Sequence, residues 1–188
     1  TKAFESVGSN PSFTDFPVII AAIKASGAEG DFQALAFGSV GSNPSFTDFP
    51  AIIAAIKASG AKGGIQTKAF GVVGSNPNFT DFPVIIEAIK ASGANAYTQQ
   101  MAFECMRSNP RDFPVIMAAI KASGVNKSNQ QEEFERILSH PDFTKASVII
   151  AAIKASELNE DFQARAFCVV GSNPNFNDFP AIIAAIKA

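Results

Sequence analysis

Tryptophan is absent, and there is one tyrosine (Tyr97), one histidine (His140) and two cysteines (Cys105 and Cys168) in 188 residues. Each shortage excludes something. One His and two distant Cys cannot assemble the usual zinc sets within the chain. The cysteines form no Cys-x-x-Cys pair and no disulfide framework, which fits an intracellular, reducing compartment. No run of 18 apolar residues appears, so no membrane-spanning helix is expected. Thr1 is followed by no basic-then-apolar leader. Asn78-Phe79-Thr80 and Asn126-Lys127-Ser128 match glycosylation sequons, but no secretory signal accompanies them. Glycine patterns of phosphate or dinucleotide loops are missing. No serine has a recurring base beside it, and no cofactor is implied. An enzyme is therefore not expected.

Charge of one sign is also scarce. The formal net charge is −2, whereas nucleic-acid binders more often carry a basic excess. What the chain has in quantity is phenylalanine, 18 residues of it, in a composition 47% hydrophobic and 17% charged. That balance belongs to folded rather than disordered proteins.

The phrase Val-Gly-Ser-Asn-Pro-Ser-Phe-Thr-Asp-Phe-Pro stands at 7–17 and again, unchanged, at 40–50. Close copies stand at 73–83 and 170–180. Its first serine occurs at Ser9, Ser42, Ser75, Ser108, Ser139 and Ser172, with spacings of 33, 33, 33, 31 and 33. The short step follows the turn at 108–114, which lacks two residues of the full phrase. The copy at Ser139 departs most, with His140 in the asparagine slot. A fixed period of this length is the mark of a repeat architecture.

The unit at 31–60 predicts two helices. Helix A runs over 31–40 and is stopped by Gly41 and Pro44. Helix B runs over 48–59, capped by Thr47 or Asp48, with Pro50 in its first turn and Gly60 as a left-handed C-cap. Phe46 is placed to staple against Ala51. The acidic series Asp15, Asp48, Asp81, Asp112, Asp178 and the basic series Lys24, Lys57, Lys90, Lys121, Lys154, Lys187 sit at the two ends of helix B, where each opposes the helix dipole. Phe49, Ile52, Ile53 and Ile56 form a stripe of helical period. Ala51, Ala54 and Ala58 lie opposite, small enough for close helix packing, although Glu87 in the Ala54 slot of one copy predicts that this position touches water. In helix A, Gln33, Ala36, Phe37 and Val40 share a face.

One hairpin cannot bury its apolar face alone, so neighbours must stack. The expectation is an all-α fold: a single α-solenoid over 1–188 of about five and a half 33-residue helix-turn-helix units, roughly ten helices. Both ends fall within a unit without a polar cap. They are expected to meet another chain or further repeats, as in a segment of a longer stack or a subunit of an assembly.

Two sets of residues are candidates for contact with a partner. Gln33, Gln66, Gln99, Gln130 and Gln163 share one slot and would align as a ladder, facing either a ligand or the adjacent loop. Four helix-A slots vary between copies while helix B hardly does. They include Ala34/Thr67/Gln100, Leu35/Lys68/Arg165, Gly38/Gly71/Glu104 and Ser39/Cys105/Arg136. As outward positions they would read a partner, with Lys68, Glu104, Arg107, Arg136 and Arg165 the most distinctive.

The unit, with Phe32-Gln33-Ala34-Leu35 opening helix A and Ile56-Lys57-Ala58-Ser59-Gly60 closing helix B, resembles the helical-hairpin repeats of the tetratricopeptide and pentatricopeptide superfamily, the second more closely. That resemblance implies helical hairpins along the whole chain. It further implies that the polar residue after the aromatic can read an RNA base, here Gln33 and Gln163, with Gln99 in the same slot. The leading expectation from the residues is a non-enzymatic scaffold that binds a protein partner or neighbouring subunits. The alternative is a single-stranded RNA-binding repeat protein.

Overall fold

The structure is a computed structural model and describes residues 2–106, 113–124, 127–139, 146–155 and 159–186. Arg107 and His140 lie outside the described residues. Twelve helices and no strands are seen among the described residues, where the sequence reading expected about ten helices. The helices are α1 (Lys2–Gly8), α2 (Phe16–Ala25), α3 (Gly30–Gly41), α4 (Phe49–Ala58), α5 (Gly63–Gly74), α6 (Phe82–Ala91), α7 (Ala96–Met106), α8 (Phe113–Ala122), α9 (Lys127–Leu138), α10 (Ala146–Ala155), α11 (Glu160–Gly171) and α12 (Phe179–Ile186). The chain forms two compact units, Thr1–Ala119 and Ile120–Ala188.

Local signals account for the helix limits. Asp48 is the N-cap of α4, and its carboxylate accepts the Ala51 N–H at 3.2 Å. Thr47 therefore stands one place before the cap. At the other end Ser59 Oγ donates to Ile56 O and accepts the Ala61 N–H. The next residue, Gly60, has φ +83°. Ser26 and Ser92 repeat that arrangement.

In the first unit the odd-numbered helices α1, α3, α5 and α7 pack one upon the next, and α1, α3 and α5 each also meet the helix that follows. The closeness depends on glycine. A Cβ on Gly71 would lie 2.8 Å from the Ala102 backbone, and one on Gly38 would lie 3.2 Å from that of Ala69. Gly8, Gly41 and Gly74 end their helices without a positive φ. They were expected as helix stops. The helices do stop there, and the glycines have a spatial role as well: a Cβ at Gly41 would meet Val73 Cγ2 at 2.6 Å, and one at Gly74 would meet Met106 Cγ at 2.6 Å.

The asparagine of the phrase joins these contacts. Asn43 Nδ2 donates to Gly8 O at 2.9 Å and to Asn10 O at 2.7 Å. Asn76 Nδ2 makes the same pair of bonds, to Gly41 O at 2.8 Å and Asn43 O at 2.7 Å. The accepting carbonyls of Gly8 and Gly41 belong to helix ends, where the last turn has no intrahelical donors. Each Oδ1 is occupied too, by Ser45 N–H and Asn78 N–H. Both side chains are fully buried.

Beside this row runs a chain of phenylalanines. Phe13, Phe16, Phe46, Phe49, Phe79 and Phe82 meet edge to face in succession, with centroids 4.9–6.0 Å apart. Such pairs add about 0.5–1.5 kcal/mol each beyond their buried area. Phe46 thus bridges Phe16 and Phe49.

In the second unit α9 packs on α11, and α11 and α12 pack with α10 and with each other. Asn173 is buried and its Oδ1 accepts from Asn175 N–H. Phe176 and Phe179 form the same edge-to-face pair.

Four substitutions test this packing. Asn76→Ala leaves the buried Gly41 carbonyl without its donor, while Asn43 O keeps the Phe46 N–H, and should lower stability by roughly 1–3 kcal/mol. Asn10→Ala removes only an exposed turn contact and should cost under about 1 kcal/mol. Gly41→Ala should cost about 1–3 kcal/mol through overpacking. At Gly171 an added Cβ meets nothing within 4 Å, and Gly171→Ala should be neutral or stabilising by up to ~1 kcal/mol. Denaturant unfolding measures all four.

Candidate functional site

The glutamine series does not face outward as a free row. Gln33 is half-buried and its Nε2 donates to Ala28 O at 2.9 Å; Gln99 Nε2 donates to Ala94 O at 2.8 Å. Both side chains reach back to the loop that leads into their own helix. Gln66, Gln130 and Gln163 are half-buried on α5, α9 and α11, and neither Gln130 nor Gln163 is free of partners.

The variable slots divide into two kinds, which corrects the expectation that all four point outward. Ala34, Thr67 and Gln100 are buried, as are Gly38, Gly71 and Glu104. In the first unit these slots lie on the faces where α3, α5 and α7 meet. Glu104 is 7% exposed and accepts from Gln100 Nε2 at 3.3 Å. Gln100 Oε1 is buried without a partner. By contrast Lys68 and Arg165 are exposed, and Cys105 is half-exposed. In the second unit the charged members pair among themselves. Arg136 Nη2 meets Glu132 at 3.0 Å along α9, and Arg165 Nη2 lies 3.4 Å from Glu135 Oε1. Arg107 falls outside the described residues, so its placement in the predicted set has no counterpart here.

A different surface is built by helix B. Ala51, Ala54 and Ala58 are exposed rather than packed against another helix, as are Val18 and Val84. Between α2 and α4 lies an open cleft of about 430 Å³, lined by Phe16, Ile20, Ala21 and Lys24 on one side and Phe46 and Asp48 on the other. Between α4 and α6 lies its counterpart, about 490 Å³, lined by Phe49, Ile53, Ala54 and Lys57 and by Phe79 and Asp81. Every one of these residues is displaced by 33 positions from its equivalent. The clefts open because the A helices carry glycine at their contacts and pack closely, while the B helices carry none. The signal in the sequence was the composition of helix B. In Phe-Pro-Val-Ile-Ile-Ala-Ala-Ile-Lys-Ala the lysine is the one charge, so some apolar surface must face solvent.

Among the described residues no group of three His, Cys, Asp or Glu side chains is placed to hold a metal ion. Nor is any helix long and apolar enough to cross a membrane. Compared with protein-family models, curated proteins and solved structures, the chain matches none.

The hydrogen bonds to the loop carbonyls predict the cost of removing the glutamines. Gln33→Ala and Gln99→Ala should each lose about 0.5–1.5 kcal/mol of stability. Lys68→Ala should stay within about 0.5 kcal/mol of the parent. Thermal unfolding distinguishes these, and equal effects at all three positions would contradict the loop-anchoring role of the glutamines.

Proposed function

We propose that this chain is a non-enzymatic helical-repeat scaffold, an α-solenoid of about five and a half 33-residue hairpins, that binds another protein or packs within a larger assembly. The observation that carries this reading is the repetition of one inter-repeat contact. Asn43 grips Gly8 and Asn10, and Asn76 grips Gly41 and Asn43, through the same atoms one unit apart. Contacts that recur at a constant step build an array from nearest-neighbour interfaces. An array of this kind presents the same surface many times, which suits a scaffold better than a catalyst. The resemblance to tetratricopeptide and pentatricopeptide hairpins rests on the same units.

A protein partner is favoured over RNA by the state of the glutamines. Gln33, which would read a base if the pentatricopeptide resemblance extended to function, has its amide nitrogen bonded to its own loop. The exposed surface of repeated shape is the helix-B side, where apolar clefts alternate with single lysines and aspartates.

Two measurements test the reading. Deleting residues 42–74, one full unit, should leave a shorter cooperative fold with a smaller denaturant m-value; a misfolded product would contradict an array of nearest-neighbour units. Single-stranded RNA should bind no tighter than micromolar. Submicromolar binding with a steep salt slope would replace the protein-scaffold reading by the RNA one.

A further inference from the structure

We infer that the chain associates head to tail with a second copy of itself, repeating between molecules the contact that joins its own hairpins. The first copy of the phrase, on α1 and the turn before α2, docks on the last copy, on α11 and the turn before α12. This rests on the scaffold reading above and names the partner that the array packs with.

The argument starts from what each internal joint needs. At α1–α3 and α3–α5 the earlier helix contributes a terminal glycine with its carbonyl, and the later one a valine and an asparagine. Val40 and Val73 lie over Gly8 and Gly41, and Asn43 and Asn76 donate to the carbonyls of those glycines. The second phenylalanine of the earlier phrase meets the first of the later one, Phe16 with Phe46 and Phe49 with Phe79. Each joint therefore has two unlike sides, and one of each stands unused.

The later side is open on the first phrase. Val7 is 42% exposed, whereas Val40 and Val73 are fully buried. Asn10 is exposed and its Nδ2 has no acceptor among the described residues. Its Oδ1 already holds the Ser12 N–H, as Asn43 Oδ1 holds that of Ser45, so the turn is preformed for donation. The ring of Phe13 meets only that of Phe16. The earlier side is open on the last phrase. Gly171 is exposed where Gly41 and Gly74 are buried, and its carbonyl takes no hydrogen bond among the described residues. Phe179 is 48% exposed, whereas its equivalent Phe82 is fully buried.

Setting the first phrase of a second copy one step beyond the last brings three matches at once. Its Val7 covers Gly171, its Asn10 amide donates to Gly171 O, and its Phe13 ring reaches Phe179. The one departure is Cys168, which stands in the slot of Gly38 and Gly71 and faces the second copy's Ala3. Glu135 fills that slot on α9, which packs on α11 all the same. A partner of another sequence would have to reproduce valine, asparagine and phenylalanine at this spacing; a second copy carries them already.

Unlike sides can be blocked one at a time, and that supplies the test. Sedimentation velocity of the parent chain over about 1–100 μM should show mass rising with concentration, as for a small interface. Gly171→Leu fills one side, where an added Cβ meets nothing within 4 Å of its own chain and φ is not positive. Val7→Lys with Asn10→Ala disables the other through exposed residues. Each variant should raise the dissociation constant at least about tenfold and keep the parent's unfolding midpoint in dilute solution. Mixed, the two should form a heterodimer and nothing larger, because each retains one working side. The inference is overturned if the parent stays monomeric up to about 100 μM, if either variant alone associates as the parent does, or if the mixture stays monomeric or grows past a dimer. A monomeric parent whose 42–74 deletion still folds as a shorter array removes this inference and leaves the scaffold reading standing. A deletion that misfolds removes the scaffold reading itself.

Discussion

A buried asparagine amide spanning two copies of the same turn is the constraint on which the rest of the first unit depends. Each helix A must end somewhere, and its last carbonyls then lack donors. Here the end is buried, so water cannot satisfy them. Asn43 and Asn76 supply the donors from the following unit, and their own oxygens are filled by the backbone two residues on. An unsatisfied acceptor at either place would cost as much as a good packing contact contributes. The bond is also directional, so it sets the step between units as well as holding them together.

The other features of the repeated phrase follow from that step. With the helix ends so close, no side chain fits at Gly8, Gly41 or Gly74 against Val40, Val73 and Met106. In the first three copies of the phrase the phenylalanines fall within ring-contact distance from one copy to the next, Phe16 to Phe46 and Phe49 to Phe79. Tight approach on the A side leaves the B helices with clefts between them. The exposed surface of the B helices is thus a by-product of how the A helices of the first unit are joined. Where the phrase is shortened at 108–114 its glycine slot holds Arg107, and the division between the two compact units falls next, within α8.

Local features were readable in the sequence and tertiary ones were not. Helix A was expected at 31–40 and is found at Gly30–Gly41; helix B was expected at 48–59 and is found at Phe49–Ala58. Caps, proline and Gly60 act within a few residues of themselves, so they show in a local reading. Asn43 looks like an ordinary turn residue until its partners, 33 and 35 positions away, are known. Gly41 looks like a helix stop for the same reason. The slots of Thr67 and Glu104 were read as outward because helical periodicity describes one helix and not the neighbour it will meet. Conversely, the small residues of helix B were read as allowing close packing, with only the Ala54 slot, where Glu87 stands in one copy, expected to touch water; Ala51, Ala54 and Ala58 are all exposed.

Side-chain amide exchange measured by NMR addresses the central claim directly. The Nδ2 protons of Asn43 and Asn76 should exchange with solvent orders of magnitude more slowly than those of Asn10, whose side chain is exposed. They should lose that protection only on unfolding. Rapid exchange at Asn76, at a rate matching Asn10 in the folded chain, would contradict the account.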